Sequence, residues 1–376
     1  MISQNSSVRH QIREGLLPLA VIFLVSRLVL LAIATLASHS IGIYMGVPDA
    51  PILCRWDCDW YLNIAKYGYS PFEMHMPGET NFAFSPLFPM LVRLSLPLFG
   101  GNALVAGVAV ANLCFFAALV YIYLYVRDMG LDKTVALLSV LILCIFPQSI
   151  SFSVPYSEST ALLMLAAAIY HLRRGHYLMA GIAAALLSAA RLNGALFILF
   201  AIVWIWQKDG FRTLLMPWRA PEKFVPVVLA PLGIFIFFGY SFLVTGDAFA
   251  YSSAQFTGWG WSFAPPWETL PQQLHSGGNF TIDALVSISV ALCSLLLLQY
   301  RMYAEFAFCF AVVVMVWCGQ GMVSMFRFWL ILFPIWVGLA RTFAQRPVGA
   351  ALLCASLATI NGLMVCAWAL DSNLSI

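Results

Sequence analysis

Apolar runs with almost no charge recur along almost the whole chain, several of them under about 17 residues and suited to tilted or partly re-entrant helices, and that pattern limits what it can fold into. The first, Leu16 to Ser38, carries a single charge, Arg27. Further runs cover Asn102–Val126, Thr134–Phe146, Ser159–Leu172, Tyr177–Ala190, Gly194–Trp206, Phe224–Val244, Ile282–Leu298, Ala304–Cys318, Phe328–Ala340 and Val348–Ala369. A bilayer core takes about 20 apolar residues per helix. Composition agrees: 62% of residues are hydrophobic and 9% charged, against about 25% charged in soluble domains. A soluble enzyme, a disordered chain and a nucleic-acid binder are excluded. The expectation is an all-α polytopic membrane protein, one integral domain over residues 1–376 with about eleven transmembrane helices. The first run is too long for a signal-peptide core and no small-residue cleavage site follows it.

The few charges are sorted by side. With the N-terminus inside and the spans alternating, the inner loops hold Arg9, Arg13, Arg127, Lys133, Arg173, Arg174, Lys208, Arg212, Arg219, Lys223, Arg301, Arg341 and Arg346. The outer loops hold Arg55, Lys66, Arg93, Arg191 and Arg327. That bias fixes the orientation, with the C-terminus outside. The outer face is also the elaborated one. Residues 39–101 form a polar, aromatic-rich loop closing on an apolar stretch, Ser85–Phe99, suited to lie in the interface as an amphipathic helix. Residues 245–281 form a second long loop without Lys or Arg, crowded with Trp259, Trp261, Trp267, Phe249, Phe256 and Phe263.

Seven of the nine cysteines sit in apolar runs and act as small hydrophobes. Cys54 and Cys58 lie in the first outer loop; free thiols are favoured there, with a bond open if the loop faces an oxidising compartment. No paired Cys/His at zinc spacing is present, so no structural metal is expected. Arg27, in mid-span, must pair, snorkel or line a cavity, and snorkelling or helix packing is the favoured reading.

The chemistry-bearing residues gather in the outer segments. Arg55-Trp56-Asp57-Cys58-Asp59-Trp60-Tyr61 puts two carboxylates beside an Arg and several rings just outside the first span. Carboxylates suit proton abstraction from a hydroxyl, and aromatic faces suit sugars. An interfacial aromatic belt explains the same rings equally well. Pro155-Tyr156-Ser157-Glu158 opens the fourth span, where Glu158 either serves a site or simply favours the helix N-terminus. Arg191 and Arg327 run against the charge bias of their side and need anionic partners. A phosphate is one candidate, since the guanidinium fork fits it; Asp57, Glu158 and Asp247 are the others.

Taken in order, these segments resemble the GPI mannosyltransferase 2 family (PIG-V-like) of the GT-C class of membrane glycosyltransferases. The resemblance rests on Arg55-Trp56-Asp57 with Tyr61, Ile64-Ala65 and Gly68-Tyr69; on Phe82-Ala83-Phe84 with Pro86 and Pro89; on Pro155-Tyr156-Ser157-Glu158; and on Arg191 with Gly194. It continues through Thr245-Gly246-Asp247 with Phe249, Gln255 and Trp259-Gly260, and ends at Met325, Arg327, Phe328 and Phe333-Pro334. The family usually shows Phe where Ser85 stands and Tyr where Phe328 stands. The resemblance implies a GT-C-like bundle and transfer of mannose, or a related hexose, from a polyprenyl (dolichyl) phosphate to an acceptor hydroxyl on the extracytoplasmic or luminal face, with inversion. It implies a catalytic Asp in the first outer loop, at Asp57. Arg55, Trp56, Asp59, Tyr61, Tyr156, Glu158, Arg191, Asp247, Gln255, Trp259 and Arg327 are then the candidate substrate-binding residues, Asp59 being secondary. No cofactor and no metal are assigned. The expected partners are the lipid-linked donor, a glycan, lipid or protein acceptor, and membrane lipids, in the plasma membrane of a prokaryote or the endoplasmic reticulum membrane of a eukaryote. The rival reading is a multi-pass transporter or flippase, which would place its ionisable residues near mid-membrane.

Overall fold

The structure, a computed structural model, describes residues 2–42, 51–73, 78–320 and 325–372, the side chains of residues 2–10 and 320 excepted. In hydrocarbon every backbone N–H and C=O must be satisfied within the chain, so the apolar runs become helices. Each of the eleven expected segments is helical. Among the described residues, five helices are long and apolar enough to cross a membrane: Gln11–Gly42, Ala103–Asp128, Leu192–Asp209, Gly278–Gln299 and Pro347–Ala369. A sixth arises if Pro221–Leu229 and Leu232–Thr245, bent by 40° at their break, count together. Length alone therefore supports fewer than the eleven spans expected from the sequence. Proline explains part of the difference. The Lys133–Ile145 helix stops before Pro147 and is followed by a 3-10 turn, Ser149–Phe152, and the expected tenth span is divided into Met325–Leu330 and Phe333–Phe343 ahead of Pro334.

The centre of the bundle is the Glu158–Arg173 helix, packed between Ala103–Asp128 and Tyr177–Ala190. Small residues permit this closeness. Ala161, Ala166, Ala168, Ala180 and Ala184 are fully buried, and a side chain at Gly233 would collide with the backbone of Ala185 and Ala189. Such contacts bring helix backbones together where lipid supplies no hydrophobic drive.

Arg27 pairs rather than snorkels. Its guanidinium donates to the carbonyls of Cys144 at 2.7 Å and Ser149 at 2.8 Å, and to Ser153 Oγ at 3.2 Å. These acceptors lie where the Lys133–Ile145 helix has ended and its last carbonyls lack intrahelical partners. A cation there also opposes the negative end of the helix dipole.

The segment after the first long helix folds into a Cys58–Tyr67 helix, a turn at Asn81–Ala83 and a Leu87–Ser95 helix. Its rings interlock. Trp60 stacks on Phe84 at 5.3 Å, and Trp259 meets both edge-on at 5.5 Å. The Leu87–Ser95 helix buries Phe88 and Val92 while exposing Met90 and Leu94, a face pattern compatible with an interfacial position. The second long loop carries helices Ala250–Trp259 and Pro266–Ser276, with Ser262–Phe263 paired antiparallel to Gly319–Gln320.

Cys54 and Cys58 are joined by a disulfide, against the expectation of free thiols. The chain turns into the Cys58–Tyr67 helix at this point, bringing the two Cα atoms to 5.3 Å, inside the range a disulfide spans.

Candidate active site

Asp57 occupies the N-cap position of the Cys58–Tyr67 helix but makes no side-chain cap bond. An Asp there ordinarily accepts from the first helical N–H groups. Its carboxylate turns away instead and accepts from Arg327 Nη1 at 2.7 Å. The backbone beneath it is braced by Tyr156, whose hydroxyl donates to the Arg55 carbonyl at 3.0 Å and accepts from the Asp57 N–H at 3.3 Å. Trp56 stands at φ 51°, in the left-handed region that bulky residues avoid.

Glu158, the first residue of the Glu158–Arg173 helix, is the second carboxylate. Its side chain is buried and sits 3.1 Å from Arg191 Nη1 and 4.0 Å from Arg327 Nη1. Arg191 leaves the end of the Tyr177–Ala190 helix in extended backbone and stacks over Phe328 at 4.3 Å. Arg327, on the Met325–Leu330 helix, lies over the Tyr156 ring at 4.9 Å. Segments separated by as many as 270 positions thus converge in one network, Asp57–Arg327–Glu158–Arg191. Burial opposes the charge on Arg327, but the facing Asp57, Tyr156 and Glu158 outweigh it and hold the guanidinium above its ordinary pKa. Burial, reinforced by Glu158 and Asp57, raises the Tyr61 phenol, whose O–H donates to Ser157 Oγ at 3.0 Å. Burial likewise raises Tyr156 well above the usual phenol range, with Asp57 adding to it. Both phenols therefore stay protonated donors at neutral pH.

The pairings expected as competitors of a phosphate, Arg327 with Asp57 and Arg191 with Glu158, are what the structure holds. They do not use every polar atom. Glu158 Oε2, Trp56 Nε1, Ser159 Oγ and both amide atoms of Asn193 are buried without a protein partner, an arrangement costly unless something else fills it. Asp57 remains 28% exposed, so the network opens on its Asp57 side.

The other sequence candidates fall elsewhere. Arg55 is buried and directed to the C-terminal helix, donating to Ala369 O at 3.3 Å and lying 3.9 Å from Asp371. Asp59 is exposed beside the disulfide. Cys54, Cys58 and Asp59 are the group whose ligand atoms lie close enough to share a metal among the described residues, but the two sulfurs are bonded to each other. Asp247 spends its carboxylate on the Phe249 N–H and the Ser253 hydroxyl, both at 2.8 Å, at the start of the Ala250–Trp259 helix. Gln255 donates to Ala83 O at 3.0 Å and bonds Tyr251, whose hydroxyl burial pushes up and Arg191 draws down. Trp259 is part of the aromatic cluster around Phe84. Two residues that sequence reasoning passed over stand at the network. Tyr251 is one. The other is Asp283, buried, accepting from the Met325 N–H and facing Arg327. A lone acid in the otherwise uncharged Ile282–Leu298 run was the available signal.

Comparison with known proteins bears on this constellation. Residues 50–267 match the family model described as Mannosyltransferase (PIG-V). The chain belongs to this family. The mouse GPI alpha-1,6-mannosyltransferase 2 is 30% identical over 210 residues, covering 50% of this chain and 40% of the mouse protein. The Cricetulus griseus protein of the same name is 30% identical over 152 residues, covering 38% of this chain and 29% of its own. The chain thus matches less than half the length of these curated relatives. Among solved structures, the Archaeoglobus fulgidus oligosaccharyltransferase tethered with an acceptor peptide aligns with a TM-score of 0.48 at 13% identity, over 93% of this chain and 55% of that one. The archaeal oligosaccharyltransferase AglB from the same organism, in complex with an inhibitory peptide and a dolichol-phosphate, aligns with a TM-score of 0.46 at 13% identity over the same shares. The matched family region contains Asp57, Glu158 and Arg191 but stops before Asp283 and Arg327; Arg327 was a candidate from the sequence, and Asp283 joins the site on geometry alone.

Proposed function

We propose that the chain transfers mannose, or a related hexose, from a polyprenyl-phosphate donor to an acceptor hydroxyl on the extracytoplasmic or luminal face, with inversion. One observation carries the reading: a partly exposed carboxylate, Asp57, pairs with the half-buried guanidinium of Arg327, which Glu158 links to Arg191, in a member of a mannosyltransferase family. The acceptor oxygen forms a bond to the anomeric carbon as the bond from that carbon to the phosphate oxygen breaks. Asp57 takes the hydroxyl proton. The polyprenyl phosphate leaves with the bonding pair, and its growing charge is met by Arg327, with Arg191 behind it. Fixed charges of this kind are the largest single contribution in many enzymes. Pairing with Asp57 and Glu158 keeps the two cations in place before substrate arrives.

The sidedness follows from the charge bias of the loops and is supported by the Cys54–Cys58 bond, since disulfides persist in oxidising compartments. A site on that face also accounts for a lipid-linked donor, because a cytosolic nucleotide sugar does not reach it. The test is transfer by the purified full chain, offered polyprenyl-phosphate mannose or a nucleotide-linked mannose with a hydroxyl acceptor. Product from the lipid-linked donor alone is the expected result. Product from the nucleotide sugar, or passage of a lipid across vesicles with no covalent product, would replace this reading.

A further inference from the structure

We propose that the Cys54–Cys58 disulfide is a positioning device for Asp57, so that transfer depends on the oxidised state of this pair. The inference rests on the function proposed above. The bond closes a ring around Arg55, Trp56 and Asp57, and the candidate base is therefore inside it. Within the ring Trp56 holds φ 51°, a conformation that an L-residue with a bulky side chain keeps only when its surroundings impose it.

The surroundings that impose it are countable. Cys58 N–H donates to the Arg55 carbonyl at 3.1 Å, and the Tyr156 hydroxyl donates to the same carbonyl. The Arg55 guanidinium is tied to Ala369 at the end of the last helix. On the other side of the turn, the disulfide is the covalent tie between the segment entering the ring and the first residue of the helix that Asp57 caps. Asp57 receives no cap bond, and among the described residues its carboxylate is held by Arg327. With the disulfide open, Trp56 is free to return to an ordinary backbone conformation and Asp57 turns with it. A dithiol does this by cleaving the Sγ–Sγ bond. Two protein thiols form, and the dithiol is oxidised to its cyclic disulfide. The other seven cysteines are free thiols and offer dithiol no second target.

The experiment uses the full chain in nanodiscs, with dithiothreitol as reductant and polyprenyl-phosphate mannose as donor. Alkylation and mass spectrometry report whether Cys54 and Cys58 are joined. Reduction is expected to lower kcat by about tenfold to a hundredfold, the scale of a misplaced catalytic group, with little change in KM for the donor, and reoxidation is expected to restore it. The Cys54→Ser, Cys58→Ser double variant is expected to show the reduced rate and to ignore dithiothreitol. Hydrogen exchange supplies a readout free of activity: amides of residues 55–61 lose protection on reduction while those of the Glu158–Arg173 helix do not. Equal kcat in protein shown to be reduced and oxidised, or unchanged exchange at residues 55–61, would overturn the proposal while leaving the glycosyltransferase reading intact. An oxidised chain that transfers nothing would remove that reading instead, and exchange alone would then decide the positioning claim. Finding both thiols free in protein taken from an oxidising compartment would also overturn it.

Discussion

The two ends of the Glu158–Arg173 helix carry buried ion clusters made from similar parts. At its last turn Arg173 lies 3.4 Å from Glu305, which also accepts from the Tyr125 hydroxyl at 2.8 Å. The guanidinium is sandwiched by Tyr125 at 5.3 Å and Trp204 at 4.7 Å. At its first turn Glu158 faces Arg191 and Arg327, with Tyr156 and Phe328 as the rings. The inner cluster balances one acid against one base, and the Glu305 side chain is only 2% exposed. The cluster at the first turn joins at least two acids to two bases and opens through Asp57, 28% exposed; a buried polar atom without a protein partner occurs in both, Glu158 Oε2 in one and Arg173 Nε in the other. A closed pair fastens four helices to one another. The network at the first turn differs in its paired carboxylates and in the exposure of Asp57.

That contrast can be broken experimentally. Glu305→Ala strands Arg173 in a buried position and is expected to cost about 3–5 kcal/mol of stability, seen as a lower unfolding midpoint in detergent, while turnover per folded molecule is retained. Loss of transfer without loss of stability would merge the two clusters into one functional class. Arg327→Ala should do the reverse. Turnover falls by about 10²–10³, the cost of removing one preorganised group that meets transition-state charge, and Arg327→Lys recovers little because an ammonium lacks the planar fork. Arg27→Met, in neither cluster, removes the guanidinium donor from the Ser149 carbonyl and leaves Ser149 Oγ as the donor to the Cys144 carbonyl; it is expected to destabilise by about 1–3 kcal/mol, measured by the same unfolding assay. Asp247→Ala removes two bonds at the start of the Ala250–Trp259 helix and is expected to cost about 1 kcal/mol, visible as faster hydrogen exchange in that helix.

Much of the outer cluster was legible because charge is so scarce in this chain. Arg191 and Arg327 stood out as cations against the expected charge bias, with a phosphate, Asp57, Glu158 and Asp247 open as their anionic partners; the structure pairs them with Asp57 and Glu158. The helical segments were legible for the same reason, since runs without charge leave few alternatives to a helix in hydrocarbon. What the sequence concealed was contact across long separations. Arg27 carried no sign that its partners would be carbonyls freed by the end of another helix. Arg55 sits beside Asp57 in sequence yet points to Ala369, because Trp56 between them reverses the backbone. Asp283 was hidden inside an apolar run, where the hydropathy of its neighbours masked it. The disulfide went unfavoured because its geometry depends on where the helix starts, which composition does not specify. By helix length five or six spans are supported among the described residues where hydropathy reads about eleven, because prolines and short helices divide segments that hydropathy joins.

The central claim is that Asp57 accepts the proton of the attacking hydroxyl while Arg327 holds the departing phosphate. Asp57→Asn keeps the shape of the side chain and removes its basicity and charge. Mannosyl transfer from polyprenyl-phosphate mannose, measured with the purified variant beside the parent chain at equal folded concentration, tests the claim directly. The account predicts a loss of kcat of at least about a hundredfold, the low end of what general-base catalysis contributes, with donor binding preserved. Turnover equal to that of the parent chain would contradict it.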